Sequence, residues 1–166
     1  MGAGKTTIGH ELSRKLGWNF TDLDEIVVNQ TNKTIPEIFK TEGELAFRHY
    51  ESEALLEVIA KSANNATVIA LGGGAFIQTN NFEAIRRSGC RTIHLDADLE
   101  TLLERCRQEG KTRPLLQDEN QFRQLYEARR SGYMKADFRV NTAGKSVESI
   151  VAEIMLQLGL CDETSE

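Results

Sequence analysis

With 20 basic against 25 acidic side chains, a net charge of −5, the 166-residue chain has no global positive field to gather nucleic acid or an anionic membrane. Its length fits one domain, and its 40% hydrophobic and 27% charged content is that of an ordinary globular protein. Three cysteines (Cys90, Cys106, Cys161) without CxxC spacing indicate neither a disulfide framework nor a zinc site. With no apolar run near membrane length and no signal peptide ahead of residue 1, they point to a reduced, cytoplasmic setting.

In chain order, Met1-Gly2-Ala3-Gly4-Lys5-Thr6-Thr7 reads as the back half of a phosphate-binding loop. Backbone N–H groups there would cradle phosphates, the Lys would reach them, and a Ser/Thr hydroxyl would face Mg²⁺. The opening Gly of the full G-x-x-x-x-G-K-[ST] pattern, and the strand leading into it, would lie before residue 1. A helix follows over residues 5–16, with Ile8, Leu12 and Leu16 on one face and Gly17 as its stop. A second Gly144-Lys145-Ser146 has Arg139 where the loop's first Gly should stand. It reads instead as the N-cap of a last helix, 147–158, with Val147, Ile150, Val151 and Ile154 as its apolar stripe.

Trp18–Asp22 is a short strand, and a helix follows from about Asp24 to Gln30. A short helix begins at Thr34 with Pro36 in its first turn, and a long one runs from Gly43 to about Lys61. Thr67–Leu71 is a continuous apolar run suited to a buried parallel strand and leads straight into Gly72-Gly73-Gly74. Helix 82–88, strand 91–95, a helix N-capped by Asp98, a polar segment over 108–118, helix 119–135 and strand 138–140 complete the alternation. This order predicts an α/β fold with a parallel sheet covered on both faces and ligands at the carboxyl ends of the strands. One domain is expected over residues 1–160, with the tail 161–166 disordered.

Asp22 and Asp24 stand at such a strand end. One carboxylate is suited to orient the waters of Mg²⁺ and the other to accept a proton from an attacking hydroxyl; Asp24 equally suits the cap of the following helix. Arg48 and Glu51 fit either a solvated i,i+3 pair or a guanidinium clamp on a carboxylate held in place by Glu51. Three consecutive glycines are costly to order and suggest backbone lying close to a ligand. Arg113, followed by Pro114-Leu115-Leu116, suits a loop that closes over a transferring phosphate. The three histidines show no ligand spacing.

Together these residues resemble the shikimate kinase family, within the nucleoside-monophosphate-kinase-like phosphate-loop proteins. The resemblance runs from residue 1 to about 158, with its pieces in family order. M-G-A-G-K-T is followed by F-x-D-x-D at Phe20–Asp24 and G-E-x-x-F-R-x-x-E at Gly43–Glu51. Then come G-G-G at Gly72–Gly74, R-P-L-L at Arg113–Leu116, and R-x-x-x-Y at Arg129–Tyr133.

The resemblance implies a three-layer α/β/α kinase fold with strand order 2-3-1-4-5, whose first strand is missing from this chain; a translation start further upstream is expected. It implies transfer of the ATP γ-phosphate to the 3-hydroxyl of shikimate, on the route to chorismate and aromatic amino acids. Gly2, Ala3, Gly4, Lys5, Thr6 and Thr7 would hold the ATP phosphates, with Lys5 bridging to the transferring group. Thr6 would ligate Mg²⁺ directly and Asp22 through water. Asp24 would bind the substrate hydroxyls and act as base. Arg48 and Arg129 would clamp the carboxylate, and the backbone of Gly72, Gly73 and Gly74 would touch the ring. Arg113, on a lid over about 108–118, would stabilise the transition state, and Arg107 or Arg105 would stack on adenine. Ser131 stands where the family usually has Pro, so Arg130 competes with Arg129. A monomer with no nucleic-acid or membrane partner is implied. A gluconate-kinase-like enzyme would share the loop but lack the Arg48, Arg129 and triple-glycine pattern. A non-catalytic relative would be expected to have lost Lys5, the aspartates or Arg113.

Overall fold

The computed structural model describes residues 2–108 and 119–160. Within them helices and strands alternate. α1 (Lys5–Leu16) leads to β1 (Asn19–Asp22), α2 (Leu23–Thr31), α3 (Ile35–Thr41) and α4 (Gly43–Ser62). Then follow β2 (Thr67–Ala70), α5 (Thr79–Ser88), β3 (Ile93–Asp96), α6 (Leu99–Gln108), α7 (Glu119–Tyr133), β4 (Phe138–Asn141) and α8 (Val147–Leu158).

Local chemistry sets most of these boundaries. Gly17, Gly89 and Gly159 close α1, α5 and α8 in left-handed backbone. A reciprocal Thr34–Glu37 capping box starts α3, and the Ser146 hydroxyl accepts from Ser149 N–H at the start of α8. The Gly144-Lys145-Ser146 triplet is therefore a helix start, as its neighbours in the sequence imply.

The strands pair in parallel as two half-sheets. β1 lies beside β2, with Asn19 opposite Thr67 and Asp22 opposite Ala70. β3 lies beside β4, with Ile93 opposite Phe138 and Asp96 opposite Asn141. Among the described residues no strand joins β2 to β3.

Two helical layers cover the strands. On one side Ile8 and Leu12 of α1 and Ile150, Val151 and Ile154 of α8 pack with Val140 of β4. Val68 of β2 and Ile93 and Leu95 of β3 lean on the same cluster, so one core underlies both half-sheets. On the other side α2–α5 enclose Leu23, Val27, Ile38, Phe47, Ala54, Leu55 and Ile85. A third cluster joins α6 and α7 through Leu102, Leu103, Cys106 and Phe122, with Ala3 against it. All four strands point their carboxyl ends the same way, so Asp22, Gly72–Gly74 and Asp96 gather with the N-terminus of α1 at one end of the molecule.

Candidate active site

The phosphate-loop motif lies at the start of α1. Gly2 and Gly4 are both left-handed (φ 67° and 79°), and Gly4 caps the helix without a side-chain bond. The N–H groups of its first turn thus have no side-chain partner from the cap, and no acidic residue stands there, which suits an anion. Lys5 opens the helix; Thr6 and Thr7 are exposed on its first turn. The Thr6 hydroxyl donates to Asp22 Oδ2 at 2.9 Å.

Asp22 ends β1, and its other oxygen accepts from Asp24 N–H at 3.0 Å. The helix cap is therefore Asp22, not Asp24, and α2 starts one residue earlier than the sequence pattern suggests. That frees Asp24 from capping and leaves its carboxylate half-buried beside Gly72.

The charged cluster facing it is built on α4 and α7. The buried stripe of α4 is Phe47, Glu51, Ala54, Leu55 and Val58, which puts a carboxylate among core residues. Glu51 is 1% exposed. Its Oε2 accepts from Arg48 Nη1 at 2.8 Å and from Gln78 Nε2 at 2.8 Å, while Oε1 is buried without a partner. Burial pushes the Glu51 carboxyl up, against the lowering effect of Arg48, and Asp24 nearby raises it further. Burial alone would lower Arg48; its bonds to Glu51 and Glu44 outweigh that and hold it above its usual range. Arg48 is thus a fixed cation, its side chain 18% exposed, and the sequence alternative of a solvated pair does not apply.

Gly72-Gly73-Gly74 explains its own composition. A Cβ on Gly72 would sit 2.7 Å from Glu51 Oε1 and 2.8 Å from Asp24 Oδ1. On Gly73 it would meet Arg129 Nη1 at 2.9 Å, and on Gly74 it would lie 2.6 Å from the Arg48 Cζ. A Cβ at any of the three would push a charged side chain out of its place.

Between Arg129 and Arg130 the structure decides the placement. Arg129 is 9% exposed and reaches the cradle, whereas Arg130 is exposed. Tyr133, one turn on, donates its hydroxyl to the Gly73 carbonyl, and burial raises its pKa. Arg105 and Arg107 separate similarly. Arg105 is tied to the Thr142 carbonyl (2.8 Å) and hydroxyl (3.0 Å), while Arg107 lies exposed, paired with Glu119 at 2.8 Å. Arg113 and the segment around it, like Met1 and the 161–166 tail, fall outside the described residues.

Two contributors are absent from the sequence reading of the site, Gln78 and the Arg105–Thr142 link, and Tyr133 enters it only as the end of the Arg129–Tyr133 motif, with no contact assigned. A helical stripe through Phe122, Tyr126, Arg129 and Tyr133 was available to flag Tyr133 and to choose Arg129. Gln78 and Thr142 carry no comparable signal.

An anion-receptive helix start facing a cationic cradle across the carboxyl ends of a parallel sheet suits phosphate transfer to a small acidic molecule. By class, the chain is a phosphate-loop kinase. The family model for shikimate kinase matches residues 1–159. The shikimate kinase of Geobacter sulfurreducens is 41% identical over 157 residues, covering 93% of this chain and 84% of that protein. That of Thermus thermophilus is 42% identical over 161 residues, covering 95% and 85%. In three dimensions the chain resembles the Acinetobacter baumannii shikimate kinase solved in complex with shikimate. That match has a TM-score of 0.86 and 36% identity and covers 99% of this chain and 91% of that one. A gluconokinase from Sinorhizobium meliloti, at TM-score 0.66 and 17% identity, shares the fold alone. The chain belongs to the shikimate kinase family.

Proposed function

We propose that the chain transfers the γ-phosphate of ATP to the 3-hydroxyl of shikimate as a cytoplasmic monomer. The observation that carries this reading is the triple-glycine cradle, where Asp24 and Glu51, Arg129, and Arg48 each close on a different glycine. Two fixed guanidinium groups suit a carboxylate, and two carboxylates beside Gly72 suit the hydroxyls of a polyol acid.

The nucleotide phosphates would lie on the N–H groups at the start of α1, with Lys5 reaching the β- and γ-phosphates. The Thr6 hydroxyl and the Asp22 carboxylate, hydrogen-bonded to each other, are hard oxygen donors that suit Mg²⁺. When bound there, Mg²⁺ would neutralise charge on the β- and γ-phosphate oxygens. Thr6 would be a direct ligand, and Asp22 would act through water.

Arg48 and Arg129 would fix the carboxylate so that the ring hydroxyls fall toward Gly72 and Asp24. The 3-hydroxyl oxygen then attacks the γ-phosphorus as the bond to the β-phosphate oxygen breaks, ADP leaves, and the hydroxyl proton passes to Asp24. Arg113 would contribute positive charge to the transferring group, and Arg107, rather than the anchored Arg105, would lie against adenine.

The test is ADP formation by the purified chain with ATP and Mg²⁺, offering shikimate, quinate or gluconate. The expected result is turnover with shikimate far above the other two. Equal turnover with gluconate, or none with shikimate, would overturn the reading.

A further inference from the structure

Gln78 stands at the cap position of α5, where its carbonyl accepts the first helical bond from Phe82 N–H at 2.9 Å. Its side chain takes no part in that cap, whereas Asp22, Thr34 and Ser146 each bond the start of their own helix. The half-buried Gln78 amide reaches instead to α4, donating from Nε2 to Glu51 Oε2 at 2.8 Å. The segment that carries it is pinned at several points. Ala75 N–H bonds the Gly72 carbonyl at 3.2 Å, and Asn81, 2% exposed, donates to the Ala75 carbonyl at 3.1 Å. Tyr133 holds the Gly73 carbonyl, and Ile77 lies so near α7 that a Cβ on Gly132 would sit 2.5 Å from its Cγ2. The Gln78 amide is therefore presented to Glu51 from a fixed base.

Both donors to Glu51 fall on one oxygen. A carboxylate oxygen has two lone-pair sites, and Oε2 fills them with Arg48 Nη1 and Gln78 Nε2, each at 2.8 Å. Oε1 is left beside Gly72 and has no partner among the described residues. A guanidinium and a carboxylate left to themselves favour a fork of two parallel bonds. Here Arg48 meets Glu51 through Nη1 alone, while Nε and Nη2 turn to Glu44 at 3.3 and 3.1 Å. Glu44 is 63% exposed, so its hold is screened by water and weak. The Nη1–Nη2 end of the guanidinium lies against Gly74, inside the cradle.

We infer that Gln78 is a positioning residue for the substrate carboxylate. By holding Glu51 through Oε2, it keeps Arg48 from closing on Glu51 with a full fork and leaves the guanidinium end at Gly74 to meet the substrate. The same hold turns Glu51 Oε1 toward Gly72 and Asp24, where a substrate hydroxyl would bond. A neutral amide suits this task. A cation in its place would compete with Arg48 for Glu51 and add charge to the cradle, and an acid would repel Glu51. The identity of the substrate rests on the proposed function; the hold on Glu51 does not.

The test takes Gln78→Met, which is near in volume but has no donor, and measures kcat and KM for shikimate, for its carboxamide and for ATP, beside the variant's crystal structure. KM for shikimate should rise about 10-fold, the value of a lost hydrogen bond to a charged group. The kcat and the KM for ATP should stay within about twofold. With the carboxamide, which asks less of Arg48, the rise in KM should shrink to about twofold or less, whereas general loosening of the site would move acid and amide alike. In the crystal, Glu51 should close on Arg48 with both oxygens. Gln78→Leu is read in the same way should Gln78→Met fold poorly. An unchanged KM for shikimate, equal rises for acid and amide, or an unmoved Glu51 would overturn the proposal. Absence of shikimate turnover in the parent would instead overturn the proposed function, and the position of Glu51 in the variant would then judge Gln78 alone.

Discussion

The two halves of the site are built differently. On the substrate side the charged groups are buried and interlocked: Arg48 is held by Glu51 and Glu44, Glu51 is also held by Gln78, and Arg129 lies against Gly73. On the side proposed for the nucleotide Thr6, Thr7 and Arg107 are exposed, and an anion would be met by the backbone at the start of α1. The first arrangement fixes side chains before substrate arrives, so recognition depends on shape to within a methyl group. The second leans on backbone N–H groups, so single substitutions there, those at Lys5, Thr6 and Asp22 aside, should matter less.

Substitutions can sharpen that contrast. The largest effect is expected where the two halves meet: Asp24→Asn should lower kcat about 10²–10⁴-fold with little change in KM for ATP. An unchanged kcat would remove Asp24 from the chemistry. Arg129→Met should raise KM for shikimate about 10–100-fold, the value of a lost charged hydrogen bond, and leave KM for ATP alone. Arg130→Met measured alongside should do neither.

Gly74→Ala tests the cradle without touching a charge, because the new methyl meets the Arg48 guanidinium. A rise in KM for shikimate of roughly 10-fold is expected, since guanidinium and carboxylate lose their alignment. Normal KM in a folded Gly74→Ala protein would mean that the approach is not needed. Across the site, Arg107→Ala should raise KM for ATP only about 2–5-fold, in keeping with an exposed cation over a ring.

The smallest effect is on stability against acid. Asp98 and Asp137 are both held below the ordinary value of 3.8, Asp98 chiefly by Thr101 N–H and Asp137 chiefly by the Thr92 hydroxyl. A lowered folded value means that their contribution is present above 3.8 and is lost as pH falls through the folded values beneath it. Glu51, raised by burial, acts in the opposite sense: its contribution is full below 4.5 and fades as pH rises through its folded value. Melting temperature followed down to about pH 3 should therefore fall less steeply in an Asp98→Asn, Asp137→Asn double variant than in the parent. A parallel fall in the two proteins would contradict these assignments.

Much of this was legible in the chain itself. The unbroken apolar run at Thr67–Leu71 identified β2 as a strand covered on both faces, and the glycines that follow it marked the cradle before any contact was known. The choice between Arg129 and Arg130 needed the buried face of α7, because adjacent helical residues point about 100° apart. The Asp22 cap was missed because the helix was started at about Asp24, which left Asp24 rather than Asp22 at the cap position. Glu51 shows the same limit from the other side. Its place in the buried stripe of α4 was readable from spacing, but its Gln78 partner lies 27 residues away and only folding unites them. The Arg105–Thr142 link, across 37 residues, is of that kind too.

The central claim is that two fixed arginines read the carboxylate of the substrate. The most direct measurement is kcat/KM for shikimate against its carboxamide, with ATP and Mg²⁺ saturating. Removing the charge while keeping the ring and hydroxyls should lower kcat/KM about 100-fold or more, nearly all of it in KM. Equal kcat/KM for acid and amide would contradict the account, leaving Arg48 and Arg129 without their substrate.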